Sequence, residues 1–115
     1  MADSAAILDK ARAHFDKMRG QTIEIPEWGL TGEAAARFDP PTLRIRQAIQ
    51  HRAGKSESRQ FATTVILCLK GKDGKPIFKD DAPTLAALEA EVDPQIVSRI
   101  FNRILTVSSE DDLGN

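Results

Sequence analysis

The longest apolar run in the chain, Val65-Ile66-Leu67-Cys68-Leu69, sits inside the stretch Glu57 to Phe78 and is followed at once by a polar turn, Gly71-Lys72-Asp73-Gly74-Lys75-Pro76. Read as a helix, Phe61, Ala62, Val65, Ile66, Cys68 and Leu69 fall on one broad face, the width expected of a central helix touched by several neighbours. Read as a strand, the β-branched Thr63-Thr64-Val65-Ile66 block also fits. Helix is the preferred reading, because the apolar face begins at Phe61, before that block.

Periodicity predicts the other elements. Residues 3–19 carry a narrow apolar stripe, Ile7, Leu8, Ala11, Phe15 and Met18, with Lys10, Arg12, Asp16 and Lys17 opposite. Asp3 or Ser4 caps this helix and Gly20 stops it. Ile23 and Ile25 alternate with Thr22 and Glu24, a strand pattern that Pro26 ends. Trp28-Gly29 reads as a bend, with a second strand somewhere in Gly32 to Asp39 anchored by Phe38. Thr42 caps a helix running through His51 or Arg52, and Ala53 to Glu57 reads as a loop. Asp80 or Asp81 opens a further helix with Pro83 in its first turn, and Leu85, Leu88 and Val92 form its apolar line. Asp93-Pro94 repeats that signal ahead of the strongest pattern, Ile96, Val97, Ile100, Phe101, Ile104 and Leu105, which is expected to pack on the central helix. The Ser108-Ser109-Glu110-Asp111-Asp112 stretch is expected to add at most one turn before fraying.

The expected fold is therefore α+β: a mainly helical small domain of about four helices with a small N-terminal β-hairpin. The organisation divides into an N-terminal amphipathic helix (1–20) and a single α+β domain (21–115) with a short acidic tail (108–115). A chain of 115 residues has one modest core. One compact domain does not readily cover every apolar face in it. The first helix is the natural one to be left over, so self-association through residues 3–19 or the ribbon is expected.

Composition narrows the chemistry. A net charge of −1 and an aromatic content of 5% argue against a broad nucleic-acid footprint and against base-stacking platforms. No apolar run is long enough for a membrane span, and the N-terminus lacks the basic-then-apolar order of a signal peptide, so a cytoplasmic protein is expected. Cys68, the single cysteine, has no partner for an internal disulfide and reads as a small buried hydrophobe. His14 and His51 have no ligand-type residue at metal spacing, so no metal site is expected. Gly71-Lys72 and Gly74-Lys75 invite a phosphate-loop reading, but the spacing is wrong, no Ser or Thr follows the lysine, and a tight turn fits better. No catalytic constellation and no cofactor motif emerge, so the residues point to binding and not to an enzyme. Arg44, Arg46, His51 and Arg52 give the second helix a basic face, which reads as a solvated surface or, more sharply, as a patch for an acidic partner.

Thr22-Ile23-Glu24-Ile25-Pro26-Glu27-Trp28-Gly29, the Thr-Leu-Arg-x-Arg helix start at Thr42 to Arg46, the apolar helix running into Lys72-Asp73-Gly74-Lys75-Pro76-Ile77-Phe78, and the closing helix with its acidic end together resemble the small tail assembly chaperones of long-tailed bacteriophages, including prophage and gene transfer agent relatives. The resemblance covers most of residues 21–115 and departs from the pattern at Leu30 to Ala36. It implies a non-catalytic protein of the bacterial host cytoplasm, absent from the mature virion. Such a protein binds the apolar, helix-forming tape measure protein, keeps it soluble, and yields it as tail tube subunits polymerise, which makes the tube protein a second partner. The family's short and frameshifted long forms imply that this chain is the short one. Trp28, Leu30, Phe38 and Leu43 are the expected partner-binding positions, with no nucleic-acid or membrane partner and a homo-oligomeric state. Two other readings stand beside it: a small structural head-tail or tail component, and a DNA-binding regulator using Arg44, Arg46 and Arg52.

Overall fold

A computed structural model describes residues 3–114, with side chains described as far as Val107. Five α-helices and one small sheet follow in the order α1 (Ser4–Asp16), β1 (Gln21–Ile23), β2 (Ala36–Phe38), α2 (Leu43–Ala53), α3 (Glu57–Cys68), β3 (Leu69–Lys70), α4 (Ala82–Ala90) and α5 (Pro94–Gly114). The fold is α+β and mainly helical, as the periodicity predicts, with five helices in place of about four. The hairpin is one part of a three-stranded antiparallel sheet in the order β1-β2-β3.

Capping side chains set the helix starts, each oxygen accepting from a first-turn N–H that has no partner inside the helix. Asp3 accepts from Ala5 at 3.0 Å, Thr42 from Ile45 at 3.2 Å, Ser56 from Arg59 at 3.2 Å, Asp81 from Thr84 at 2.9 Å and Asp93 from Gln95 at 2.9 Å. The central segment is a helix as far as Cys68. It buries Ala62, Thr63, Thr64, Val65, Ile66 and Cys68, and α2, α4 and α5 all pack against it. That arrangement explains its broad apolar face. Phe61 of α3 stacks on Phe101 of α5 with ring centroids 4.1 Å apart. Ile96, Val97, Ile100 and Ile104 complete the α5 side of the core.

Leu69 leaves the helix with extended backbone angles and pairs with Phe38, while Lys70 pairs with Arg37. Helical periodicity carries through Leu69, so only the pairing with β2 reveals this strand. β1 and β2 pair as Gln21 with Phe38, Thr22 with Arg37 and Ile23 with Ala36. Between them, Pro26 to Trp28 form a 3-10 turn, and Gly29 at φ 74° takes the left-handed conformation that closes it. Ile25 and Leu30 then bridge across the turn. The Gly71–Pro76 segment is a tight turn: the Gly71 amide donates to the Lys75 carbonyl at 2.8 Å, and Gly74 sits at φ 81°.

Two ends depart from expectation. α5 continues as one helix to Gly114, past the polar stretch from Ser108 expected to stop it within a turn. The acidic tail's side chains and its expected fraying lie outside the described residues. α1 forms as predicted, yet none of its residues is buried, and Ile7 and Leu8 remain 53% and 50% exposed. Its helical face stands away from the body, and only Met18, just beyond it, enters the interior. The radius of gyration of 15.5 Å exceeds the roughly 13 Å expected of a compact chain of 115 residues.

Candidate partner-binding site

The expected partner-binding residues separate in three dimensions. Phe38 is 1% exposed, lies in the core of β2, and carries the Arg103 guanidinium 5.4 Å above its ring. It is a packing residue and not a surface anchor, because the β2 alternation turns it inward with Ala36. Trp28 and Leu30 share the turn after β1 and are half-buried against the core. The Trp28 ring meets Phe78 edge to face at 5.7 Å and 88°, so much of its apolar surface is already used within the chain. Leu43, the first residue of α2, is 87% exposed and stands on a separate element.

A more coherent surface lies elsewhere. The first turn of α3 and the first half of α5 diverge around an open groove of about 860 Å³. Glu57, Ser58 and Phe61 form its α3 side, and Pro94, Ser98 and Asn102 its α5 side. Phe61 is half-buried and braced from behind by Phe101, which gives the groove a rigid aromatic floor. The α5 lip is fixed by Arg99, which donates to both carboxylate oxygens of Glu27 at 2.7 and 3.1 Å. This pair ties the turn after β1 to α5 across 72 residues of sequence. The hydrogen bond from Arg99 holds the Glu27 carboxyl down to about 2. Sequence reading missed this groove because Phe61 falls on the broad face of α3 and reads as core. The available signal was the width of that face, which is more than three neighbouring helices close over.

The basic face of α2 is smaller than the sequence suggests. Arg52 donates to both Asp80 oxygens at 2.6 and 3.2 Å, leaving Arg44, Arg46 and His51 exposed without a salt bridge among the described residues. Cys68 is buried, and desolvation pushes its thiol up to about 11, away from the reactive thiolate. No described helix is long and apolar enough to cross a membrane. Comparison with protein-family models, curated proteins and solved structures gave no match.

Proposed function

We propose that the protein is a bacteriophage tail assembly chaperone that binds the tape measure protein and keeps it in solution until the tail tube polymerises. The observation that carries this reading is the α3–α5 groove, open, aromatic-floored and bounded by two helices. Such a groove suits an amphipathic helix that lays its apolar side chains at i, i+3, i+4 and i+7 along the floor. A tape measure protein offers many such helices in succession. Many copies on one long partner hold it with avidity although each contact is small. The protein acts without catalysis in the bacterial host cytoplasm, and arriving tube subunits displace it, so it is missing from the finished virion.

Co-expression tests the proposal. A tape measure protein made alone should enter inclusion bodies, and made with this chain it should stay soluble and co-purify with it. An equally insoluble tape measure protein in both cases would refute the reading, and so would recovery of the chain in purified virions, which indicates a structural component. A DNA-binding regulator draws on one specific feature, the absence of any acid among the 11 residues of α2. Salt-sensitive DNA binding lost on Arg44→Ala with Arg46→Ala would favour it.

A further inference from the structure

We infer that α1 is an arm that docks into the α3–α5 groove of a second copy of this chain. A helix of 13 residues with no buried side chain is marginal in water on its own, so α1 needs a partner to be well populated. Its own body supplies one only at the base, where Phe15 is half-buried, and leaves Ile7 and Leu8 exposed. Asp39 accepts from the Gly20 amide at 2.8 Å and from the Arg19 guanidinium at 3.3 Å, which pins the base of the arm. That base lies beside the end of α3, where Phe15 and Arg19 border the same crevice as Leu67 and Cys68. The groove opens at the opposite end of α3, at Glu57 and Ser58. The arm of one chain therefore meets the groove of another.

Length and charge fit this occupant. Ile7 to Phe15 and Pro94 to Asn102 are each nine residues, about 12 Å of helix from first to last. The exposed part of the stripe, Ile7, Leu8 and Ala11, faces the Phe61 floor, while Phe15 stays at the arm's base. Charges on one flank of α1 are internally paired, Arg12 with Asp9 at 3.1 Å and Arg19 with Asp16 at 3.6 Å. Lys10 and Lys17, two turns apart on the other flank, have no salt bridge among the described residues. On the groove, Arg99 is taken by Glu27, while Glu57 has no salt bridge among the described residues. The free charges are thus two cations on the arm and the Glu57 carboxylate at the groove, which sets Lys10 and Lys17 along the Glu57 side. Arm and groove are different surfaces, so the contact is heterologous and propagates head to tail into rings or open arrays. An outside helix that enters the groove competes with the arm, so self-association falls as the partner binds.

The test uses the protein alone, so its outcome is independent of the identity of the outside partner. Leu8→Cys and Ser58→Cys are made in separate full-length chains, at exposed positions that leave the core untouched. The two proteins are mixed at tens of micromolar under a mild oxidant. The inference predicts a disulfide-linked dimer in the mixture and no disulfide-linked dimer in either protein alone. Adding Lys10→Glu and Lys17→Glu to the Leu8→Cys chain should cut the yield about fivefold, and Glu57→Lys on the Ser58→Cys chain should restore it. A Leu8→Cys protein that links efficiently to itself would show arm-to-arm pairing and overturn the inference. Absence of the mixed dimer would overturn it equally.

Discussion

Ile100→Ala and Leu8→Ala delete the same amount of hydrocarbon from two helices and should differ severalfold in cost. Ile100 is 0% exposed at the centre of α5, whereas Leu8 is 50% exposed on α1. Removing three carbons from Ile100 loses about 2.4 kcal/mol of transfer free energy at about 0.8 kcal/mol per methylene. If about 50 Å³ stays unfilled, the cavity adds about 1.2 kcal/mol at about 24 cal/mol per Å³, giving about 3.5 kcal/mol in all. An unfolding entropy of about 2.1 cal/mol/K per residue over 115 residues turns that into a Tm loss of about 15 °C. Leu8→Ala leaves no cavity, exchanges a half-exposed side chain for the best helix former, and should cost under about 1 kcal/mol. Urea unfolding at submicromolar concentration measures both without a contribution from self-association. Equal losses for the two variants, or a loss below about 1 kcal/mol for Ile100→Ala, would refute the placement of α1 outside the core and of α5 inside it.

Acid should weaken the Glu27–Arg99 tie. Glu27 is held at about 2 when folded against an ordinary 4.5, so its stabilisation is present above 4.5 and is lost as pH falls toward about 2. The urea midpoints of the wild type and Arg99→Ala should therefore draw together as pH falls from about 5 toward 2, and a gap that stays constant over that range would show that ionisation of Glu27 contributes nothing. Cys68, buried with its thiol pushed up to about 11, should react with a thiol reagent only as fast as the chain opens, so prompt labelling of the native protein would contradict its packing. Asp81→Ala removes the α4 cap that accepts from Thr84 at 2.9 Å and should cost about 0.5–2 kcal/mol, with Asp81→Asn retaining most of the stability.

Four of the five helices were legible because each has a local signature: a capping oxygen at Asp3, Thr42, Asp81 or Asp93, followed by an apolar stripe; α3 was legible from its broad apolar face alone. The hairpin was legible from the Ile23 and Ile25 alternation, the stop at Pro26 and the Phe38 anchor. β3 was not, since Leu69-Lys70 becomes a strand only by pairing with Phe38 and Arg37, a contact across some thirty residues. The length of α5 escaped notice because the polar run from Ser108 reads as a stop. Periodicity shows that Phe38 and Phe61 are apolar positions of their elements but not which neighbours cover them. Phe38 was consequently expected at the surface and lies inside, and Phe61 was expected inside and forms a groove floor. The exposure of α1 was foreseeable, because a short chain carries more apolar helix face than one core encloses.

Occupancy of the α3–α5 groove tests the account most directly. An apolar amphipathic segment of a tape measure protein, fluorescently labelled, is titrated with the wild type, with Ser58→Arg combined with Asn102→Arg at the groove mouth, and with Leu43→Ala on the exposed start of α2. The account predicts saturable binding that weakens at least about tenfold in the groove variant and is unchanged in Leu43→Ala. Wild-type affinity in the groove variant, or loss of binding in Leu43→Ala, would contradict it.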